Sequence, residues 1–307
     1  KVRKDIGIMS VGYFQIALGR KYIDESCDFI RSLRLFEDNK PVSVLVKPED
    51  IAYAKEKNVF DQIIKLKESG TLYSICENSH DKYCILPRVT MLEYIPYREC
   101  IVIDTDVLCS HDTDLAWDTF RDKRQPFNCT GNYYDESFHW NSITEINNNL
   151  GFNIACAHGG IFYVNKNFGE EQLNNFFLNV LYAFINYDEL GFKRGFRSRE
   201  NKSGAMTDEI IFGYALSKMN YTLLDFSIYP IMTFEISGYL IKNMKLPNKI
   251  QSYKWFTLYW EKFNKDKPII MKDPIPFIHL FGDQEMKSES ANKLKNIIYS
   301  HASSRSN

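Results

Sequence analysis

The chain has 307 residues, 44% hydrophobic and 25% charged, which excludes wholesale disorder and suits one large domain or two small ones. Lys plus Arg number 38 and Asp plus Glu 39, for a formal net charge of −1, so no global field draws the chain to nucleic acid. No apolar run reaches the ~18 residues that a membrane-spanning helix needs.

In chain order, 5–11 reads as a strand that Gly12 ends, and Arg20 to Phe36 as a helix with Ile23, Cys27, Ile30 and Leu33 at helical spacing. Val42 to Val46 is a compact strand. Phe60, Ile63 and Ile64 suggest an amphipathic helix ending near Gly70, Thr71 to Cys76 a short strand, and Arg88 to Ile95 a helix. Cys100 to Ile103 is all apolar, as expected of a central parallel strand covered on both faces, and it ends at Asp104. This alternation predicts an α/β domain with a mostly parallel sheet, whose ligands bind beyond the carboxyl ends of its strands. Further on, Ile161 to Val164 reads as a strand, Leu173 to Ile185 as the cleanest helical stripe, Asp208 to Met219 as a helix, and Ile275 to Leu280 as a late strand. The expected organisation is one composite domain over 1–290, with a nucleotide-binding part in 1–115, a sugar and acceptor part in 116–290, and a polar tail in 291–307.

Seven cysteines, odd in number and without a CxxC pair, read as reduced and mostly buried thiols. Sequons at Asn128, Asn201 and Asn220 are too common by chance to fix a compartment. The expected setting is cytoplasmic or membrane-peripheral, with a secretory lumen open if an anchor precedes Lys1.

Chemistry concentrates at three places. Asp104 and Asp106 put two carboxylates one residue apart just past a buried strand, where both can reach a hard divalent cation such as Mg²⁺ or Mn²⁺. A second such pair, Asp112 and Asp114, follows no strand and reads as a helix start. His279, after Pro276-Phe277-Ile278, offers imidazole to Mn²⁺, and Gly282 leaves room for a phosphate. Asp208 and Glu209 open a helix, where acids also complement the helix dipole. The aromatic and basic stretch 253–267 suits an acceptor wall, a membrane-surface patch or core packing. The basic loop of Lys193, Arg194, Arg197, Arg199 and Lys202 suits an anionic acceptor or plain solvent.

In this order the elements resemble the retaining glycosyltransferases of the GT-A, Rossmann-like fold. Asp104-Thr105-Asp106 after its apolar strand is similar to the metal motif of the glycogenin-like family. His279-Leu280-Phe281-Gly282 is similar to that family's HxxG motif, and His158-Gly159-Gly160-Ile161-Phe162 to its small-residue segment. The stretch from Ile6 to Phe36 and the Asp208-Glu209 pair resemble the blood-group A/B transferases. One departure stands out: Glu285 occupies the position of the motif's lysine, and Lys287 follows two residues late.

The resemblance implies Mn²⁺ or Mg²⁺ and a donor diphosphate on Asp104, Asp106 and His279, with Thr105, Gly282 and Lys287 beside them. It implies Ser10, Val11, Gly12 and Tyr13 around the nucleotide, Arg88 near the donor sugar, and Gly159 and Gly160 shaping the sugar pocket. Asp208 would bind donor hydroxyls, and Glu209 would lie near the anomeric carbon. The implied activity is transfer of a hexose from a nucleotide sugar, UDP-hexose first, to a glycan or other hydroxyl acceptor. A sugar nucleotidyltransferase and an inactive glycan-binding protein remain alternatives, whereas a dinucleotide oxidoreductase lacks its G-x-G-x-x-G after the first strand.

Overall fold

The computed structural model describes residues 9–76, 78–132, 137–139, 141–195, 204–225, 231–236 and 276–281. The elements run β1 (Met9–Ile16), α1 (Arg20–Leu35), β2 (Val42–Val46), α2 (Ile51–Lys57), β3 (Gln62–Lys65) and α3 (Thr71–Ile75). A π-helical turn over Asp81–Ile85 leads into the short α4 (Leu86–Val89), then β4 (Tyr97–Ile103), β5 (Val107–Cys109) and α5 (Asp114–Asp122). Next come β6 (Phe127–Asn132), β7 (Ser137–Phe138), β8 (Asn141–Ser142), α6 (Ile143–Leu150), β9 (Cys156–Asn165) and α7 (Glu170–Ile185). Last are α8 (Asp208–Lys218), β10 (Leu224–Asp225), β11 (Met232–Ile236) and β12 (Phe277–Phe281).

Among the described residues the main sheet has seven strands in the order β10-β6-β9-β4-β1-β2-β3. All its pairings are parallel except those of β9, which runs against both β4 and β6. β4 shows why its sequence is apolar throughout. Ile101 and Ile103 pack on one face with Phe29 of α1 and Trp117 of α5, while Cys100 and Val102 pack on the other with Phe176 of α7 and Phe212 of α8. Helices thus cover both faces, and alternate residues of a central strand serve two cores.

The strand order reverses between β1 and β4, because β2 and β3 lie on one side of β1 and β4 on the other. That switch point opens a crevice beyond the strand ends, where open α/β sheets bind ligands. A second sheet, β11-β12-β5, stands beside it, with β12 antiparallel to β5.

Four expected elements change. β1 runs to Ile16, so Gly12 lies inside the strand. It ends nothing; glycine is needed because a Cβ there would strike the Tyr97 ring and come within 2.8 Å of the Pro41 carbonyl. Ile63 and Ile64 belong to the edge strand β3, the preceding helix having stopped at Asn58 in the left-handed conformation (φ 51°). Thr71–Ile75 is a surface helical turn after Gly70 (φ 108°) that buries none of its residues. The helix expected at Arg88 starts earlier, at the π turn, and breaks at Thr90.

None of the seven cysteines forms a disulfide; six are buried and Cys84 is exposed. Asn128 sits fully buried in β6, so its sequon is closed to solvent. No helix among the described residues is long and apolar enough to cross a membrane. The stretch 253–267, Arg197, Arg199, Lys202, Asn201, Gly282, Lys287 and the tail 291–307 lie outside the described residues.

Candidate active site

A cavity of about 330 Å³ opens at the switch point. Into it project Asp104, Thr105 and Asp106 after β4, Gly159 and Gly160 of β9, Asp208 and Glu209 at the start of α8, Arg88 of α4, and His279 of β12. Segments far apart in the chain therefore share one space.

The acidic turn is fixed before any ligand arrives. Asp104 N–H donates to the Gly160 carbonyl (3.0 Å), and the buried Gln15 amide donates to the Asp104 carbonyl (3.2 Å). Thr105 Oγ1 donates to Glu25 of α1 (2.9 Å). His279 arrives through sheet register: it pairs with Val107, and Leu280 N–H donates to the Asp106 carbonyl (2.9 Å). His279 Nε2 then lies 3.0 Å from Asp106 Oδ1 and 3.9 Å from Asp104 Oδ2. One ligand atom from each of Asp104, Asp106 and His279 falls within 4.8 Å of the others.

Charge is concentrated here. Burial, reinforced by Asp106 and Asp208, raises the Asp104 carboxyl above the ordinary range despite Arg88 and His279. Two near-adjacent carboxylates plus an imidazole form a donor set suited to a hard divalent cation. Arg88 gathers the opposite wall: Nη1 donates to the Gly159 carbonyl (2.9 Å) and to Asp208 Oδ2 (2.7 Å), and Nη2 pairs with Asp104. Burial opposes its charge, but Asp104 and Asp208 outweigh burial and raise its pKa.

α8 is a rigid mount for the acidic pair. Its residues Ile210 to Leu216 are all buried, as in a core helix, so its N-terminus is held by packing. Glu209 Oε1 accepts the Gly159 N–H (2.9 Å). Both glycines of β9 are close-approach positions. A Cβ on Gly159 would stand 3.0 Å from Arg88 Nη1 and from Asp208 Oδ2; one on Gly160 would stand 2.7 Å from His158 and 2.9 Å from His279.

The residues expected around the nucleotide lie on β1. Tyr13 is fully buried in the core, donating to Asp38 Oδ2 (2.8 Å) and accepting from Trp117 Nε1 (2.8 Å). Gly12 lies beneath Tyr97, and Ser10 and Val11 precede it on β1. Val11, Gly12 and Tyr13 are not in the described lining of the cavity, which the end of β1 and the start of α1 reach through Ile16, Leu18 and Tyr22. Continuing the apolar run of β1 past Gly12 would have reached them.

Sequence reading missed His139, His80, Tyr83 and Cys84 in the lining, and named His158 only as the first residue of the small-residue segment. Isolated histidines carry no spacing signal. Burial, then His279 and His139, hold His158 well below the ordinary imidazole range, so its ring is neutral. Its Nδ1 accepts the Gly160 N–H (3.1 Å).

No protein-family model matches the sequence, and no curated protein shows significant similarity to it. Solved structures do match. A galactosyltransferase, LgtC, in complex with donor and acceptor sugar analogues superposes with TM-score 0.55 at 12% identity, over 94% of this chain and 95% of that one. An active-site mutant of LgtC gives the same figures. Mouse xyloside xylosyltransferase 1, in its apo form, superposes with TM-score 0.55 at 10% identity, over 91% of this chain and 99% of that one. At such identities the likeness concerns the fold, and over nearly its whole length the chain has the GT-A glycosyltransferase fold.

Proposed function

We propose that the protein is a metal-dependent glycosyltransferase. It moves a hexose from a nucleotide sugar, UDP-hexose first among them, to a glycan or other hydroxyl acceptor, with retention of anomeric configuration. The observation that carries this reading is the meeting of Asp104, Asp106 and His279 with Asp208 and Glu209 in one cavity beyond the strand ends.

In this reading Asp104, Asp106 and His279 hold Mn²⁺ or Mg²⁺. When bound, the cation supplies positive charge that stabilises a diphosphate leaving group. Residues 1–115 carry the nucleotide, with the base and ribose against Ile16, Leu18 and Tyr22, and Gly282 and Lys287 approach the phosphates. Residues 116–290 carry the sugar and acceptor. Gly159 and Gly160 leave room for the sugar ring against the β9 backbone. Asp208 binds donor hydroxyls while Arg88 keeps its carboxylate in place. Glu209, held by the Gly159 amide, faces the anomeric carbon and stabilises the positive charge that develops on the sugar.

The test is product analysis with a panel of nucleotide sugars, simple glycoside acceptors and Mn²⁺. The expected product is free nucleoside diphosphate, UDP with the preferred donor, with Asp104→Ala and Asp106→Ala each losing about 100-fold or more in kcat. Release of hexose 1-phosphate in place of nucleoside diphosphate would place the chain among nucleotidyltransferases. Wild-type turnover in both variants would remove the cation site from the reaction.

A further inference from the structure

Among the described residues, both carboxylate oxygens of Glu209 are anchored, one from β9 and one from the β7–β8 turn. Its Oε1 takes the Gly159 N–H (2.9 Å), while its Oε2 is in contact with Nε2 of His139. His158 stands farther off, its Nε2 4.0 Å from Oε1. His139 lies in the turn between β7 and β8, with φ at 47°, a left-handed conformation that non-glycine residues rarely adopt. Strained backbone of this kind persists where the surroundings over-determine it.

The surroundings here do so. Strands of two residues each cannot hold a hairpin alone. Asn141, buried to 1% exposure, donates from Nδ2 to the His139 carbonyl (2.7 Å) and accepts the Lys193 N–H at Oδ1 (2.6 Å). The Phe138 ring meets the imidazole edge-on, with centroids 4.4 Å apart. The hairpin is thus tied to the segment after α7, and its strained residue is the one that reaches Glu209.

We propose that His139 is a positioning residue that fixes the carboxylate plane of Glu209 by donating from Nε2 to Oε2, while the Gly159 amide holds Oε1. The proposal rests on the assignment of Glu209 to the sugar-facing role. A carboxylate held at both oxygens cannot rotate away from its target, and misplacement by about 1 Å at a reacting centre can cost about 100-fold in rate.

Two readouts test it on the full chain. The first needs no donor: the imidazole ¹⁵N and N–H signals of His139, assigned by their loss in His139→Gln. A hydrogen-bonded Nε2–H signal that moves in Glu209→Gln is expected; a signal unmoved by that change overturns the pairing. The second is steady-state transfer from UDP-hexose with Mn²⁺. His139→Ala should lower kcat about 100-fold with donor KM within about twofold of wild type. His139→Gln, whose amide nitrogen can stand near the position of Nε2, should recover most of the loss. Wild-type kcat in His139→Ala, or equal losses in both variants, overturns the positioning role. Absence of transfer by the wild-type chain with every nucleotide sugar overturns the glycosyl-transfer reading instead, leaving the imidazole signal to judge the pairing.

Discussion

His279 Nε2 stands 3.0 Å from Asp106 Oδ1 although 173 residues separate them. The antiparallel register of β12 on β5 brings them together, closed by the Leu280 N–H to the Asp106 carbonyl. A late strand thereby completes a donor set begun at the end of β4. His279→Ala should weaken Mn²⁺ binding by more than the roughly 10–100-fold that outer-shell changes cost. Titration followed by Mn²⁺ electron paramagnetic resonance checks this, and unchanged affinity would remove His279 from the site.

A Cβ on Gly159 would crowd Arg88 and Asp208 at 3.0 Å, and one on Gly160 would meet His158 at 2.7 Å and His279 at 2.9 Å. Gly159→Ala should push Arg88, Asp208 and Glu209 out of place and cost about 10–100-fold in kcat, with the chain still folded. Gly160→Ala should press on His158 and His279 and weaken metal binding first. Steady-state kinetics beside metal titration separates the two.

Gly12 distinguishes a structural glycine from one that lines a ligand. Because a Cβ would meet the Tyr97 ring and the Pro41 carbonyl, Gly12→Ala should cost about 1–3 kcal/mol of stability, the usual range for overpacking. Nucleotide affinity, measured calorimetrically below the melting range, should stay at wild type. A selective loss of nucleotide binding would return Gly12 to the donor wall.

Asp38 predicts an acid-side stability effect far from the cavity. Burial alone would raise its carboxyl, but hydrogen bonds from Thr113, the Lys40 amide and Tyr13 prevail and lower it. A group depressed on folding contributes stability above its unfolded pKa of about 3.9 and loses it as pH falls through the folded value. Asp38→Asn should therefore cost about 1–3 kcal/mol near neutral pH. The gap from wild type should narrow as denaturation is repeated from about pH 4 downward. A gap that widens on acidification would contradict this sign.

Some of this was legible in the sequence and some was not, for identifiable reasons. Strand β4, helices α1, α7 and α8, and strand β12 announced themselves because burial on fixed faces leaves an apolar pattern. The extent of β1 was hidden by Gly12, whose reason is the Tyr97 ring from the neighbouring strand, a contact invisible along the chain. Ile63 and Ile64 misled because an edge strand half-buried on both faces resembles one turn of an amphipathic helix. At the site, Asp104 and Asp106 stood out through spacing and position after a strand, Asp208 and Glu209 as an acidic pair opening a helix, and His279 within a late apolar run. His139 and His158 did not, since their relation to Glu209 exists only once β7, β9 and α8 have met.

Thermal denaturation with UDP, with Mn²⁺ and with both together is the most direct test of nucleotide binding through a cation on Asp104 and Asp106. At about 100 times its dissociation constant, a ligand specific for the folded state adds about 2.7 kcal/mol of stability. UDP and Mn²⁺ together should raise Tm by a large shift, either alone by a small one, and the joint shift should be lost in Asp106→Ala. A joint shift that survives in Asp106→Ala, or none with any nucleotide and any divalent metal, would contradict binding through that cation.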